Sequence, residues 1–371
     1  METPHRRSLP EEIVVWEILI RLPPKFLLRC RAVCRGWRRA TSTRNFLLAH
    51  HAHQPSLPII QSSKYGGEIC KFIAALDHRA TAPDAQLQSL ARLDKMFVLE
   101  ASCDGLLILS EYGGDATRFF ICNPATRQHA PIGNLRGLDI MGMYPHRSTG
   151  EYRLLLHGGY CGNSPRDQFG FYVFVLGSDQ PARYIGWPEA ASHQYNVPAQ
   201  VRDSLHWYPM FDSKHTESKR VMVFDTTTES FRRMRAPTIP TMSCIFEMDD
   251  TLGIHSINYA TKIIDIWVLQ NYESEVWNLT YRVALPIAEI KGKFEGHDDR
   301  SSWYVTVASR DGDMLLLVCF DLWLFYVDTH GKLVASFQDF YVSHRRHKQT
   351  LVQHTFFTAL DGYAADSLSF I

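Results

Sequence analysis

The feature that most constrains this chain is a strand-pair unit that recurs along its last three hundred or so residues. Each unit joins a turn, two short apolar strands and a polar corner residue, most clearly over residues 103–126 and 203–228. The corner residues are Asp77, Asn123, Asp179, Asp225, Gln270 and Asp328. Their mean spacing of about 50 residues is typical of kelch-sized blades in a β-propeller.

A unit of this kind cannot bury both faces of its sheet alone, so neighbouring units must stack, and a ring is the closed solution. The sequence therefore predicts a large all-β, propeller-like domain over residues 66–371. Its tryptophans are expected mainly between blades, and some exposed tyrosines are candidates for a recognition surface. The tryptophans in question are Trp207, Trp267, Trp277, Trp303 and Trp323.

The first 55 residues have a different hydrophobic pattern, with apolar residues at helical spacing. A first helix ends at Leu22, because two prolines follow it. A second helix is predicted over 27–37 and a third over 45–51, and a linker is predicted over 56–65. The predicted fold is therefore α+β and multidomain, with a small three-helix module before the all-β domain.

Charge separates the two parts. The whole chain carries 39 basic and 39 acidic side chains, but residues 1–55 hold ten Lys and Arg against four Glu. The basic module predicts an acidic partner. The zero net charge of the whole chain argues against a protein built for nucleic acid or for an anionic membrane.

The first helix is apolar on nearly every face, from Ile13 to Leu22. Three short helices cannot bury all of these side chains among themselves. A helix of this composition is covered either by its own body or by a partner. Periodicity alone leaves both alternatives open.

The cysteines and histidines predict no metal and no cofactor. None of the eight cysteines forms a C-x-x-C pair, which is typical of reduced thiols in an intracellular protein of the cytoplasm or nucleus. The opening residues lack an apolar signal segment, and no apolar run approaches the length of a membrane span. His50, His51 and His53 have no acidic or cysteine ligand at useful spacing, so a solvated helix end is predicted there.

No nucleophile motif indicates catalysis. The paired acids at 249–250 and 311–313 are predicted to lie in turns, where Asp and Gly are favoured for backbone reasons. The basic cluster 344–348 is predicted to be a solvated loop, with an acidic target or RNA as the alternative.

The N-terminal module resembles the F-box of plant F-box proteins over about 40 residues without an insertion. The carrying motifs are Leu9-Pro10-Glu11-Glu12-Ile13, the run from Glu17 to Lys25, Leu27-Leu28-Arg29-Cys30-Arg31 and Val33-Cys34-Arg35-Gly36-Trp37-Arg38. The resemblance implies docking onto the Skp-type adaptor of a cullin ubiquitin ligase. The contact is then expected at Leu9, Pro10, Ile13, Ile18, Leu19, Leu22, Pro23, Leu28, Val33 and Trp37.

The body resembles the F-box-associated domain over residues 95–285, and more loosely beyond. The carrying motifs are Cys103-Asp104-Gly105-Leu106, Cys122-Asn123-Pro124-Ala125-Thr126-Arg127, Leu205-His206-Trp207, Val223-Phe224-Asp225 with Glu229-Ser230-Phe231, and Ile266-Trp267-Val268-Leu269. The resemblance implies recruitment of a target protein, whose identity and binding residues stay unknown. The expected function is a non-catalytic target receptor. The alternatives are a propeller enzyme or a carbohydrate- or ligand-binding module braced by its N-terminal helices, and then a nucleic-acid binder.

Overall fold

The computed structural model describes residues 9–62, 70–77, 79, 86–113, 116–133, 135, 137–158, 169–188, 196–208, 220–237, 239, 243–293, 303–310 and 312–360. Within them the chain forms a helical module followed by a ring of antiparallel sheets, which confirms the predicted fold class. None of the helices in these ranges is long and apolar enough to span a membrane.

The helical module contains four helical segments. Helix α1 (Glu11–Ile13) continues into a π-helical turn (Val14–Ile18) and a 3-10 turn (Leu19–Arg21). Helices α2 (Pro24–Val33), α3 (Arg35–Thr41) and α4 (Arg44–His53) follow. α2 begins with proline, whose missing N–H costs nothing in a first turn.

The prediction of one continuous second helix is wrong at Cys34. This residue is extended, with φ −135° and ψ 126°, and it separates α2 from α3. The break turns the chain so that Leu27 on α2 and Trp37 on α3 pack against the same apolar core. Burial of both side chains on one core therefore outweighs helix continuity.

The β-domain contains 23 strands in the described ranges. The first twelve are β1 Ser56–Ser62, β2 Cys70–Leu76, β3 Leu87–Cys103, β4 Leu106–Gly113, β5 Ala116–Asn123, β6 Gln128–Ile132, β7 Leu138–His146, β8 Glu151–Gly158, β9 Gly170–Val175, β10 Arg183–Gly186, β11 Ala199–Val201 and β12 Ser204–Trp207. The others are β13 Arg220–Asp225, β14 Ser230–Arg235, β15 Ser243–Met248, β16 Thr251–Asn258, β17 Ile263–Asn271, β18 Val276–Ala284, β19 Trp303–Arg310, β20 Asp313–Phe320, β21 Trp323–Asp328, β22 Leu333–Gln338 and β23 Phe340–Lys348. Two short helices, α5 (Ile287–Lys291) and α6 (Thr355–Leu360), lie outside the sheets.

These strands form a propeller of six blades. Strands β7–β10, β11–β14, β15–β18 and β19–β22 each form a four-stranded blade. The remaining seven-stranded sheet is two blades joined through the long strand β3, whose first half pairs with β2 and whose last residues pair with β4. The C-terminal strand β23 pairs with β1 and supplies the innermost strand of the first blade. One blade therefore contains both ends of the domain, and this pairing closes the ring.

Strand β1 occupies most of the predicted linker over 56–65. Pro55 and Ser56, at the end of the histidine-rich stretch, favour a linker by composition, but Leu57, Ile59 and Ile60 are fully buried. Backbone pairing with both β2 and β23 holds them there. The propeller therefore begins at Ser56, directly after the module.

The corner residues that set the predicted period lie at or near the end of the third strand of each blade. Asn123, Asp225 and Asp328 each accept two backbone N–H groups from the following turn. This bond pattern is the physical reason for Asn or Asp at the position. In the fifth blade the turn-binding side chain is Asn271, one residue after the predicted Gln270.

The tryptophans lie mostly in packed positions, as predicted. Trp207 is fully buried in the cluster shared by the third and fourth blades. Trp303 is buried between the fifth and sixth blades, with its ring 4.3 Å from that of Phe320. Trp267 and Trp277 pack against the core that joins the fourth and fifth blades.

Candidate functional site

Seven of the ten side chains predicted to contact an adaptor point outward from the helical module. They are Leu9, Pro10, Ile13, Ile18, Pro23, Leu28 and Val33. Leu22 and Trp37 are half-buried. Leu19 is 3% exposed and belongs to the core of the module, so it is not available to a partner in this conformation.

Three further large apolar side chains of the module are exposed, although the expected contact set does not contain them. Trp16, Phe26 and Leu48 are 46%, 49% and 45% exposed, which is comparable to Ile13 and Ile18. Phe26 precedes the fully buried Leu27, so the burial phase of α2 would have indicated it. We call the exposed set the apolar surface of the module. It consists of Leu9, Ile13, Trp16, Ile18, Phe26, Leu28, Val33 and Leu48.

The opposite side of the module is buried against the propeller. Its core side chains include Val15, Leu19, Leu27 and Phe46. They form one cluster with Leu351 and Val352, which follow the closing strand β23. The propeller therefore covers one face of the helices, as the first alternative expects, and leaves the apolar surface uncovered.

Polar contacts fasten the end of α4 to the propeller. The Nδ1 atom of His51 lies 3.1 Å from the carbonyl oxygen of Gln349, and its Nε2 atom lies 3.5 Å from Oδ1 of Asp104. Both partners are acceptors, so both hydrogen bonds form together only when each ring nitrogen carries a proton. The Lys348 ammonium donates to the carbonyl oxygen of Ala52.

The predicted solvated histidine end of α4 is correct only for His53, which is exposed. His50 is fully buried beside the carbonyl oxygen of Leu22, and burial lowers its pKa. Within the described ranges, no group of three or more His, Cys, Asp or Glu side chains is placed to hold a metal ion.

A central channel of about 970 Å³ runs along the inner strands of the propeller. Its walls include residues of β3, β7, β11, β15, β19 and β23. The last residues of β3 and β23 lie beside the helical module, through Asp104 and Lys348. The mouth at the first residues of β19 and β23 contains Tyr304 and Tyr341, whose rings are 6.1 Å apart.

The basic cluster 344–348 is part of β23 and not the solvated loop that composition predicted. The Arg345 guanidinium donates twice to the carbonyl oxygen of Glu100. The Arg346 guanidinium donates to the carbonyl oxygens of Ser56 and Ser309. These cations satisfy backbone acceptors across the closure of the ring.

The channel contains one hydroxyl–imidazole pair with the outline of a nucleophile and its base. Thr306 Oγ1 lies 2.9 Å from His344 Nδ1. Burial lowers the pKa of His344 to about 4, which makes the imidazole a weak base at neutral pH. Burial also lowers the pKa of the nearby His255 to about 3. The pair therefore lacks the basicity that nucleophile activation needs.

The thiols of the channel are held protonated. Burial raises the pKa of Cys103 well above its ordinary value and raises that of Cys244 to about 11. Because the thiolate is the reactive form, both thiols are inert at neutral pH. Cys161 lies outside the described residues. Of the paired acids, Asp249 and Asp250 lie in the turn between β15 and β16, as predicted.

A helical module with an uncovered apolar surface, fixed to a six-bladed propeller, defines a protein built of two distinct parts. Two protein families match these parts. The F-box associated beta propeller domain matches residues 74–355, and the F-box-like domain matches residues 7–52. The chain therefore belongs to the plant-type F-box proteins with an F-box-associated propeller.

Relatives agree with this assignment. The chain is 23% identical over 317 residues to F-box protein At5g49610 of Arabidopsis thaliana, covering 77% of this chain and 81% of that protein. It is 25% identical over 303 residues to putative F-box protein At1g33530, covering 74% of this chain and 62% of that protein. It also matches Jacalin-related lectin 38 at 26% identity, over 68% of this chain and 48% of the lectin.

Similarity to a solved structure is low. TolB from Acinetobacter baumannii covers 83% of this chain, and 70% of TolB is covered in turn. The TM-score is 0.44 at 10% identity, so this similarity carries no argument about function.

Proposed function

We propose that this protein is the target-recruiting subunit of a Skp–cullin–F-box ubiquitin ligase. The apolar surface of the helical module docks on the Skp-type adaptor, and the propeller binds the protein to be ubiquitinated. The subunit has no catalytic step of its own. It raises the effective concentration of the target beside the ubiquitin-bearing enzyme, inside the cell in the cytoplasm or nucleus.

The exposed apolar surface is the observation that carries this proposal. Eight large apolar side chains are at least two-fifths exposed on a module of about 45 residues. Monomeric proteins rarely leave such a patch uncovered without a partner. The module already uses its other face against Leu351 and Val352. An apolar surface left after the intramolecular contacts are made favours docking over mere bracing of the propeller.

The alternative functions have weaker support. The Thr306–His344 pair is the nearest approach to a catalytic group in the channel, and the low pKa of His344 argues against it. The arginines of 344–348 are bonded to backbone carbonyls, so they offer little to RNA. Both observations favour a binding platform over a propeller enzyme or a nucleic-acid binder.

Adaptor binding by the full chain tests the proposal. In the double variant Leu9→Ala/Pro10→Ala, we expect adaptor capture to be lost while the propeller keeps its thermal unfolding temperature. The matched control is Leu322→Ala/Val334→Ala, which removes two exposed apolar side chains from the propeller. This control should bind the adaptor like the unmodified chain. Adaptor binding unaffected by Leu9→Ala/Pro10→Ala, or an unmodified chain that does not bind, would refute the proposal.

A further inference from the structure

The outward face of α3 carries a concentration of arginine. Side chains three or four positions apart share a helix face, which places Arg35, Arg38 and Arg39 together. All three are exposed, whereas Trp37 and Thr41 face inward. With Ser42 and Thr43, the three arginines line an open concavity of about 390 Å³. We call these three side chains the arginine face.

The arginine face lacks acidic partners within the described part of the chain. Glu11 approaches α3 at Gly36, but it forms no ion pair with a guanidinium there. Several arginines of the propeller do have acidic partners. Arg153 pairs with Glu229 at 2.6 Å, and Arg282 pairs with Asp265 at 2.7 Å. Among the described residues, carboxylates thus pair with many propeller arginines and with none of these three.

This arrangement opposes the stability of the isolated module. Like charges three and four residues apart repel each other on a helix. Arg35 in the first turn also opposes the helix dipole, whereas Arg38 and Arg39 in the last turn favour it. The positive field reaches the half-buried Arg31, whose pKa is lowered by burial and then by the charge of Arg38. Repulsion among these three neighbouring cations therefore carries a cost that no ion pair within the described residues offsets.

The arginine face adjoins the apolar surface. Val33 is 79% exposed and stands two residues before Arg35. Arg29, on the preceding helix, lies over the exposed ring of Phe26 with 5.7 Å between the guanidinium carbon and the ring centre. Protein interfaces commonly combine an apolar centre with a polar rim and are enriched in arginine. One partner that covers Val33 would therefore also reach the arginine face.

We propose that the arginine face binds a carboxylate-rich polypeptide segment of the same adaptor that covers the apolar surface. The inference rests on the proposed function, and it adds a second, electrostatic anchor to the apolar one. A guanidinium matches the two oxygens of a carboxylate, so arginine suits this role better than lysine. Binding of RNA is disfavoured, because the adjacent Trp37 faces the module core and offers no ring for base stacking.

Affinity and association rate, measured against salt concentration with the full chain and purified adaptor, test the inference. The triple variant Arg35→Gln/Arg38→Gln/Arg39→Gln should bind about tenfold more weakly at low salt, mainly through slower association. The difference in affinity between the triple variant and the unmodified chain should vanish near 0.5 M salt, where the Debye length is only about 4 Å. The corresponding triple lysine variant should keep most of the salt dependence, because it keeps the charge.

The matched control removes equal charge from the propeller. Arg127, Arg220 and Arg233 are exposed, and their change to glutamine should leave both affinity and salt dependence unaltered. If the triple variant of α3 binds the adaptor as the unmodified chain does at every salt concentration, the inference fails while the proposed function stands. If the unmodified chain does not bind the adaptor, the proposed function itself fails. If the triple variant loses binding to a mixed RNA but not to the adaptor, the face is a nucleic-acid site and the inference is overturned.

Discussion

His51 at the end of α4 and Asp104 in the turn after β3 are in contact across the boundary between module and propeller, with 3.5 Å between Nε2 and Oδ1. The second oxygen of Asp104 accepts a hydrogen bond from the Tyr152 hydroxyl at 2.9 Å. Burial alone would raise the pKa of Asp104, but the hydrogen bond and charge of His51, the hydrogen bond of Tyr152 and the charge of Lys348 hold it below its ordinary value. This carboxylate therefore orients the module on its platform.

Changing Asp104 to asparagine should loosen the module without unfolding the propeller. Asparagine tolerates the left-handed backbone at this position, where φ is 47°, so the change removes the charge and one hydrogen-bond acceptor without straining the backbone. The side chain is 37% exposed, so we expect the change to destabilise the attachment of the module by only about 0.5–1 kcal/mol. Hydrogen exchange should quicken in α4 and not in β20. Asp265→Asn, which breaks the exposed pair with Arg282, is the control and should leave α4 protected.

Arg346 should be needed to close the ring. Its guanidinium donates to Ser56 in the first blade, through both Oγ and the carbonyl oxygen, and to the carbonyl oxygen of Ser309 in the sixth blade at 2.6 Å. Arg346→Ala leaves these acceptors without their donor and should lower the free energy of unfolding by about 2–3 kcal/mol. Urea unfolding measures this loss. Arg233→Ala, at an exposed position on β14, should change stability by less than about 0.5 kcal/mol. Equal losses in the two variants would contradict the closing role.

Alanine variants of the neighbouring residues Leu19 and Ile18 should separate an effect on stability from an effect on adaptor binding. Leu19 is 3% exposed and packs in the module core, so Leu19→Ala should cost about 2–4 kcal/mol. Ile18 is 45% exposed, and Ile18→Ala should cost under about 1 kcal/mol in stability. The two variants should therefore differ in a thermal unfolding scan, whereas the Ile18 variant should weaken adaptor binding while folded. An Ile18 variant with unchanged adaptor affinity would remove this residue from the docking surface.

The propeller was predictable because each repeat contains a turn whose hydrogen bonds are local in sequence and require Asn or Asp. Asn123 and Asp225 mark corners through bonds to backbone groups two and three residues ahead, and such bonds leave a sequence signature. The closing strand β23 was missed because its signature is not local. Arg345 and Arg346 resemble a solvated loop in sequence, yet their acceptors, in Glu100 and Ser56, are more than 240 residues away.

The docking surface was predictable in part for a related reason. An apolar helix indicates burial without telling which face meets the chain's own core. Leu19 was assigned to the partner and lies in the core, because Leu351 and Val352 come from the far end of the chain to cover it. Conversely, Phe26 was not named, although it stands exposed beside the buried Leu27.

Glu229 should make stability depend on pH in the acid range. Its carboxylate binds Arg153 at 2.6 Å, the Tyr144 hydroxyl at 2.8 Å, and Arg183. Burial alone would raise its pKa, but the hydrogen bonds from Arg153 and Tyr144 and the two positive charges lower it. A depressed pKa in the folded state stabilises the protein above the ordinary glutamate value of about 4.3, and this contribution is lost as pH falls through the lower, folded-state pKa.

Glu229→Gln should therefore lower the free energy of unfolding by about 2–3 kcal/mol at pH 7, and the gap to the unmodified protein should close as pH falls below about 4. Urea unfolding at a series of pH values measures the gap. The control is Glu151→Gln, since Glu151 also binds Arg153 but is 45% exposed. Its effect should stay under about 1 kcal/mol. A gap for Glu229→Gln that stays constant from pH 7 to pH 3 would show that the charge is not responsible.

Gly105 should be irreplaceable for two separable reasons. It follows Asp104 in the hairpin turn between β3 and β4 with φ +83°, a conformation that other residues adopt at a cost of about 1 kcal/mol. A Cβ atom here would also lie 2.8 Å from Cγ2 of Thr350 and in collision with the carbonyl oxygen of Lys348. The turn therefore packs directly against the segment that joins β23 to the module core.

Gly105→Ala should destabilise the protein by more than about 3 kcal/mol, because backbone strain and the collision add. Gly150→Ala supplies the matched control, since Gly150 has a similar φ of +72° with nothing within 4 Å of its Cβ position. It should show only the backbone cost of about 1 kcal/mol. The difference between the two unfolding free energies measures the close approach of the β3–β4 turn to the C-terminal segment. Equal values would mean that the segment yields, and that the module is held less tightly than the contacts of His51 and Lys348 indicate.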